Sequence, residues 1–237
     1  MTKPRIDLVL PVHNEGASIA ATLEEFYATA TAQAPVDLRF VICEDGSKDN
    51  TVEVIQALAA KLPILLLTTK ARKGYSRAVI DGFRSTTADI IAFIDSDGQC
   101  DPGDFHRFWE TLADNDFVIG YRNPRSDPWI RILMSRSFGF VYRRLFDVRT
   151  KDPSCPYLLI RRPALERILQ GNVGVLKQGF WWEFLARAKA TGARLTEIPV
   201  RHRPRAAGTT QVYRVGAVPR IAVEHLRGLF TLKRELS

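Results

Sequence analysis

The 237-residue sequence predicts an α/β fold, with a mostly parallel central sheet and helices on both faces. Three features predict it. Short, almost wholly apolar segments recur through the first hundred residues, as strands covered on both faces require. Segments with helical apolar spacing alternate with them. Polar clusters directly follow the apolar segments, at the strand ends where open α/β sheets bind ligands.

Ile6-Asp7-Leu8-Val9-Leu10 is the first strand, ended by Pro11. Gly16-Ala17-Ser18 opens a helix whose Ile19, Leu23, Phe26 and Ala30 fall at helical spacing. Leu38-Arg39-Phe40-Val41-Ile42 is a second strand, and Glu44-Asp45-Gly46-Ser47 turns the chain. Asp49 or Asn50 supplies an N-cap for a helix over 51–62. Residues 64–67 form a third strand, 74–83 a helix after a Lys/Arg/Gly loop, and 89–94 a fourth, fully apolar strand. No repeat, low-complexity stretch or linker interrupts the pattern, so one domain with a C-terminal extension is expected.

Composition narrows the class. The chain is 46% hydrophobic and 25% charged, which is ordinary for a globular protein. Cys43, Cys100 and Cys155 are odd in number and far apart, which excludes a disulfide framework and a Cys-based zinc site. Apolar runs such as Ile64-Leu65-Leu66-Leu67 fall far short of the roughly 18–20 residues of a membrane span. Met1-Thr2-Lys3-Pro4-Arg5 leads straight into an apolar strand, so no signal peptide is expected.

Charge is unevenly divided. Residues 1–121 carry 11 basic and 18 acidic side chains, net −7, whereas residues 122–237 carry 23 and 8, net +15. An acidic half suits a metal ion. A basic half suits phosphates, nucleic acid or an anionic membrane face.

The most specific chemistry follows the fourth strand. Asp95, Asp97 and Gln99 alternate after Ile91-Ala92-Phe93-Ile94, and residues two apart on an extended chain face one side. Two carboxylates and an amide oxygen suit a hard divalent cation completed by substrate phosphates. A helix-capping turn is the plainer reading of a lone Asp-x-Asp. The buried strand before it, and the His13-Asn14-Glu15 and Glu44-Asp45-Gly46 clusters on the same sheet edge, favour the site.

Four motifs in order resemble the inverting family 2 glycosyltransferases of the GT-A fold, which use nucleotide sugars. They are Pro11-Val12-His13-Asn14-Glu15, the run Glu44-Asp45-Gly46-Ser47-Lys48-Asp49-Asn50-Thr51, Lys73-Gly74-Tyr75-Ser76-Arg77-Ala78 and Asp95-Ser96-Asp97-Gly98-Gln99. Later segments around Gly120-Tyr121-Arg122, Arg131 to Arg136, Lys151-Asp152-Pro153-Ser154-Cys155 and Arg205 to Thr209 are similar to the polyprenyl-phosphate sugar transferases, the dolichyl-phosphate mannose synthase branch. The resemblance spans roughly residues 6–212. It implies that Pro11, His13, Glu15, Asp45, Asp95 and Ser96 hold the nucleotide. It places Asp97 and Gln99 on Mg²⁺ or Mn²⁺, with Asp97 and Asp152 as the catalytic acidic residues. Arg122, Arg131, Ser135 and Arg205 then meet diphosphate or acceptor phosphate. Two departures stand out. Glu44 replaces the first Asp of the family's Asp-Asp-Gly-Ser, and Cys155-Pro156-Tyr157-Leu158 replaces its later Gly-Phe-Arg-Leu.

The implied reaction is physically coherent. Loss of a nucleoside diphosphate from a sugar builds charge that a divalent ion and arginines stabilise. A phosphate-monoester acceptor is already anionic near neutral pH, its second pKa being about 6, so it needs no strong base. A hydroxyl acceptor would need one, and Asp152 and Glu183 are the candidates. Phe180-Trp181-Trp182-Glu183-Phe184 otherwise reads as core, although the resemblance allows Trp182 and Glu183 to border the acceptor.

The C-terminal 213–237 segment is expected as a separate basic amphipathic helix after a 1–212 catalytic domain. Arg220, Arg227 and Arg234 share one face; Val218, Ala222, Leu226, Leu229 and Phe230 share another. Such a helix lies on an anionic membrane surface or packs on its own domain. With a lipid acceptor the first holds, and a cytoplasmic protein peripheral to the inner membrane face is expected. Three functions remain: transfer to polyprenyl phosphate, transfer to a glycan or small-molecule hydroxyl, and non-catalytic nucleotide-sugar binding. Nucleic-acid binding has only net charge behind it, with no recognised motif.

Overall fold

Alternating apolar runs and amphipathic helices close into one seven-stranded sheet in the computed structural model. The structure describes residues 3–123, 129–176, 179–204 and 218–236, without the side chains of 129–137, 218–223 and 225. The first half supplies β1 (Arg5–Val12), α1 (Ile19–Gln33), β2 (Asp37–Glu44), α2 (Thr51–Leu58), β3 (Ile64–Leu67), α3 (Tyr75–Ser85) and β4 (Ile90–Phe93). A 3₁₀ turn, Pro102–Asp104, leads into α4 (Phe105–Leu112) and β5 (Phe117–Arg122). Then come α5 (Trp129–Phe146), β6 (Leu158–Arg161), α6 (Arg162–Ile168), α7 (Phe180–Ala190), β7 (Leu195–Val200) and α8 (Val218–Glu235).

The strand order is β3-β2-β1-β4-β6-β5-β7. Only β6 runs against the rest, pairing antiparallel with both β4 and β5. Side-chain alternation sends Leu8, Leu10, Phe40 and Ile42 to a core under α1, α2 and α4. Val9, Val41, Phe93 and Ile119 go to the opposite core under α3, α5, α7 and α8. Burial on both faces explains the unbroken apolar runs.

Pro11 does not end β1. The strand continues beside β2 as far as Val12 against Glu44. The Val12 carbonyl accepts from the Asp45 amide and the Val9 carbonyl from the Ile94 amide. Pro11 therefore faces the β4 side, beyond that pairing, where a missing N–H removes no bond. The α1 register is the predicted one: Ile19, Leu23, Phe26 and Ala30 are its buried residues.

Asp7 fastens the opposite ends of the strands. It is 1% exposed and accepts from Arg39 Nε and Nη2, each at 2.9 Å, and from the Thr87 and Ala88 amides at 2.6 and 2.9 Å. It thus joins β1 to β2 and to the turn before β4. Burial pushes its carboxyl up, but the Arg39 bond and the two amides outweigh burial, so its pKa lies below the usual range.

The helices approach closely where glycine allows it. A Cβ on Gly82 of α3 would lie 2.4 Å from Cys43 Sγ and 2.6 Å from Val9 Cγ1. Burial pushes the Cys43 and Cys155 thiols to about 12, which makes both packing residues. At the far end, Leu229 and Leu232 of α8 are fully buried, and a Cβ on Gly228 would meet Leu176 Cδ2 at 2.4 Å. The expected boundary at 212/213 lies outside the described residues. Among the described residues no helix is long and apolar enough to cross a membrane.

A carboxyl whose pKa falls on folding adds stability above its unfolded value, near 3.9, and loses it as pH drops through the folded value. Asp7→Asn should therefore cost about 2 kcal/mol at pH 7 and less at pH 3. Urea denaturation at the two pH values checks this. An equal penalty at both would contradict it.

Candidate active site

The loops after β1 and β2 interlock. Asn14 takes a left-handed φ of 55°, which Asn tolerates. Its amide donates to Ser47 Oγ at 2.9 Å, and its Oδ1 accepts from the Lys48 amide at 2.8 Å. The Glu15 amide donates to Thr51 Oγ1 and the Gly16 amide to Asp49 Oδ2. A Cβ on Gly16 would meet the exposed Asn50 side chain and come within 3.1 Å of the Thr51 amide, so the two loops approach closely here. Asp49 here accepts the Thr51 amide as an N-cap would, while Asn50 makes no side-chain cap. His13 Nε2 lies 3.3 Å from Asn14 Nδ2; His13 Nδ1 is buried with no hydrogen-bond partner.

Each acidic side chain at this sheet edge is held by a neutral donor. Ser18 Oγ donates to Glu15 at 3.0 Å, and the Ser47 amide donates to buried Glu44. Asp45, 4% exposed, accepts the Lys73 amide at 2.6 Å and the Gly74 amide at 2.9 Å, with Arg72 Nε at 3.8 Å. Gly46 has φ +68° and backs onto the Arg72 amide, so the β2 loop carries the 71–74 loop directly. Gly74, at φ +93°, then starts α3.

Tyr75 opens α3 and points its hydroxyl at Asp95 Oδ1, 2.8 Å away. Trp181 Nε1 donates to the same hydroxyl at 2.9 Å. Burial of the hydroxyl end and the Asp95 charge push the phenol well above its usual pKa. Tyr75 as a whole is 40% exposed.

Beyond β4 the chain turns instead of staying extended. Gly98 has φ 73°, and the Gln99 amide donates to Asp97 Oδ1 at 3.1 Å. Strand alternation therefore does not align Asp95, Asp97 and Gln99. Asp95 turns to Tyr75, whereas Asp97 caps its own turn. The donor set is still hard oxygen throughout. Among the described residues no three His, Cys, Asp or Glu side chains form a metal cage. A cation held here would draw further ligands from substrate phosphates and water, the usual arrangement for Mg²⁺. Ser96 is buried in the turn.

Segment 199–203 runs against this turn. Gln99 Nε2 donates to the Arg203 carbonyl and the Arg203 amide to the Gln99 carbonyl, at 3.1 and 2.9 Å. Arg203 forks to Glu25 and Asp101, both at 2.8 Å. Arg205 follows two residues later, outside the described residues, as do the side chains of Arg131 and Ser135.

Arg122, expected on phosphate, and Asp152, expected as a catalytic acidic residue, are instead bonded to each other. Arg122 Nε and Nη2 donate to Asp152 Oδ2 and Oδ1 at 2.6 and 2.9 Å, and Ser154 Oγ adds a third bond at 2.9 Å. Asp152 is 3% exposed. Half-buried Glu197 of β7 accepts the Lys151 amide at 2.8 and 3.1 Å and fixes that turn. Burial raises its pKa. Glu183, fully buried, accepts the Gly174 and Leu176 amides and Arg187 Nε, and Arg187 in turn meets Glu235 of α8 at 3.0 Å. Trp181, Glu197 and Arg203 were not legible as site neighbours, because each reaches the site only through sheet order and helix packing.

This chain matches the family described as glycosyl transferase family 2 over residues 7–169 and belongs to it. It is a glycosyltransferase with the GT-A fold. An uncharacterized glycosyltransferase of Mycobacterium tuberculosis is 30% identical over 216 residues, covering 90% of this chain and 91% of that one. The undecaprenyl-phosphate 4-deoxy-4-formamido-L-arabinose transferase of Serratia proteamaculans is 27% identical over 87% of this chain and 62% of its own. The dolichol-phosphate mannosyltransferase of Pyrococcus furiosus is 25% identical over 97% of this chain and 64% of its own. This chain thus spans under two thirds of the last two. Among solved structures, mannosyl-3-phosphoglycerate synthase from Rubrobacter xylanophilus superposes with a TM-score of 0.66 at 14% identity, covering 98% of this chain and 74% of that one. A mannosyltransferase from Pyrobaculum calidifontis, in complex with GDP-Man and Mn²⁺, gives 0.64 at 19%, covering 97% and 64%. At these identities the likeness is one of fold.

Removing one partner of a buried pair strands the other charge. Asp152→Ala should destabilise the protein by about 3 kcal/mol in urea denaturation, because Arg122 loses both fork bonds. A loss below about 0.5 kcal/mol, the level of an ordinary surface change, would show that the pair carries no structural weight.

Proposed function

We propose that this chain moves a hexose, with inversion, from a GDP- or UDP-sugar to polyprenyl phosphate, using Mg²⁺ or Mn²⁺. The observation that carries the acceptor assignment is the state of Asp152 and Glu183. A hydroxyl acceptor needs a base, and these were the carboxylates the sequence offered for it. Both are buried and saturated: Asp152 by the Arg122 fork and Ser154, Glu183 by two amides and Arg187. Those bonds occupy the carboxylate oxygens that would have to accept a proton from a hydroxyl. A phosphate acceptor brings its own anionic oxygen and needs neither. The names of the relatives acting on undecaprenyl and dolichol phosphate support the same class.

In this reading Pro11, His13, Glu15, Asp45, Asp95 and Ser96 line the nucleotide. The unpartnered His13 Nδ1 is an atom a base or ribose would satisfy. Asp97 and Gln99 would hold the divalent ion, which supplies Lewis-acid stabilisation of the leaving diphosphate. Arg122 holds Asp152 in place. Arg131, Ser135 and Arg205 are assigned to diphosphate and acceptor phosphate on the family resemblance alone.

The lipid acceptor calls for a membrane face, and we assign it to α8. Its Leu229 and Leu232 bind the domain, while Phe230 is 56% exposed among exposed Arg227, Lys233 and Arg234. An exposed aromatic beside cations suits the headgroups of an anionic leaflet, here the cytoplasmic one.

Thermal-shift titration with GDP, UDP and their sugars, with and without Mn²⁺, followed by transfer of labelled sugar to a short polyprenyl phosphate, tests the reading. One base should give a metal-dependent shift, with label in the lipid phase. Label on a hydroxyl acceptor instead would overturn the acceptor assignment. Asp97→Ala should abolish transfer and the metal-dependent shift while moving the apo melting temperature little. Phe230→Ser should reduce co-sedimentation with anionic vesicles several-fold; unchanged binding would remove α8 as the contact.

A further inference from the structure

Tyr75 belongs to a motif whose backbone the nucleotide loop uses, but its side chain has been given no role. Its hydroxyl lies between two groups of fixed polarity. Indole Nε1 can only donate, and an ionised carboxylate can only accept. The Trp181–Tyr75–Asp95 chain, at 2.9 and 2.8 Å, therefore runs in one direction, and the hydroxyl proton has one place to go.

Both ends of this chain are anchored. Trp181 is 6% exposed and packs edge-on against Phe93 at 4.5 Å, Phe180 at 5.0 Å and Phe184 at 5.6 Å. Phe93 is the last residue of β4, two before Asp95. The Tyr75 backbone follows Lys73 and Gly74, whose amides are held by Asp45. One carboxylate after β2 thus fixes the loop that aims a hydroxyl at the carboxylate after β4.

We propose that Tyr75 is a positioning residue that sets the orientation of the Asp95 carboxylate for the donor nucleotide, with Trp181 fixing the Tyr75 hydroxyl. This rests on the reading that Asp95 meets the donor. Without the hydroxyl, Asp95 loses the charge-assisted donor at its Oδ1. Trp181→Phe keeps an aromatic ring in the cluster but removes the N–H together with the fused five-membered ring, so its melting temperature is read beside its binding.

Calorimetric titration of GDP and UDP in the presence of Mn²⁺, with melting temperatures of the same samples, tests this on the full chain. Tyr75→Phe should weaken nucleotide binding about tenfold, the scale of one hydrogen bond to a charged group, with little change in melting temperature. Trp181→Phe should weaken it less, in the same direction. Crystal structures of wild type and Tyr75→Phe give a readout that needs no ligand: the Asp95 carboxylate should leave its wild-type rotamer. Wild-type binding retained within about twofold in both variants, with Asp95 unmoved, would overturn the proposal. A fall in melting temperature that accompanies an unmoved Asp95 would do the same and make the hydroxyl purely structural. If wild type binds neither nucleotide, the donor reading fails, and the Asp95 rotamer alone decides whether Tyr75 positions it.

Discussion

Carboxylates crowded at the ends of adjacent parallel strands repel one another, and this fold must hold them together. Glu44 ends β2, and Glu15, Asp45, Asp95 and Asp97 follow β1, β2 or β4, which lie side by side in the sheet. A hydroxyl or a backbone amide holds each of them. Neutral donors fix the direction of a carboxylate without cancelling its charge. Under the proposed function, a divalent cation with an attached diphosphate would complement this acidic edge.

The same constraint accounts for the loop chemistry. Interlocked loops must satisfy their backbone groups locally, so Asn14, Asp49 and Thr51 bond across from one loop to the next. Glycine appears where two loops approach closely, as at Gly16 beside Thr51, or where φ is positive, as at Gly46 and Gly74. The basic second half serves a different end. Many of its arginines are spent inside the fold: Arg161 on the carbonyls ending α4, Arg187 on Glu183, and Arg122 on Asp152. A net charge of +15 therefore overstates the cationic surface on offer.

The first four strands and α1 were legible because parallel strands are read from apolar runs and helices from periodicity. Pro11 misled because a missing N–H matters only on the side where a partner strand waits. The extended alternation expected through Asp95, Asp97 and Gln99 gives way to a turn at 96–97 just beyond β4, which no apolar pattern announces. The reversed strand β6, the Arg122–Asp152 pair and the Glu183–Arg187 pair were not legible. They depend on residues 30 or more apart meeting through sheet order, or on which face of a helix is covered. Tyr75 stood in a recognised motif, yet its partner Trp181 lies 106 positions away. Only packing brings the two together.

The most direct measurement is the position of Mn²⁺ by anomalous diffraction from crystals grown with Mn²⁺ and the nucleoside diphosphate that binds. The account predicts a single peak at the Asp97 carboxylate, bridging to the diphosphate, with the nucleoside between the loops after β1 and β2. A nucleotide bound elsewhere, or bound there with no metal at Asp97, would contradict it.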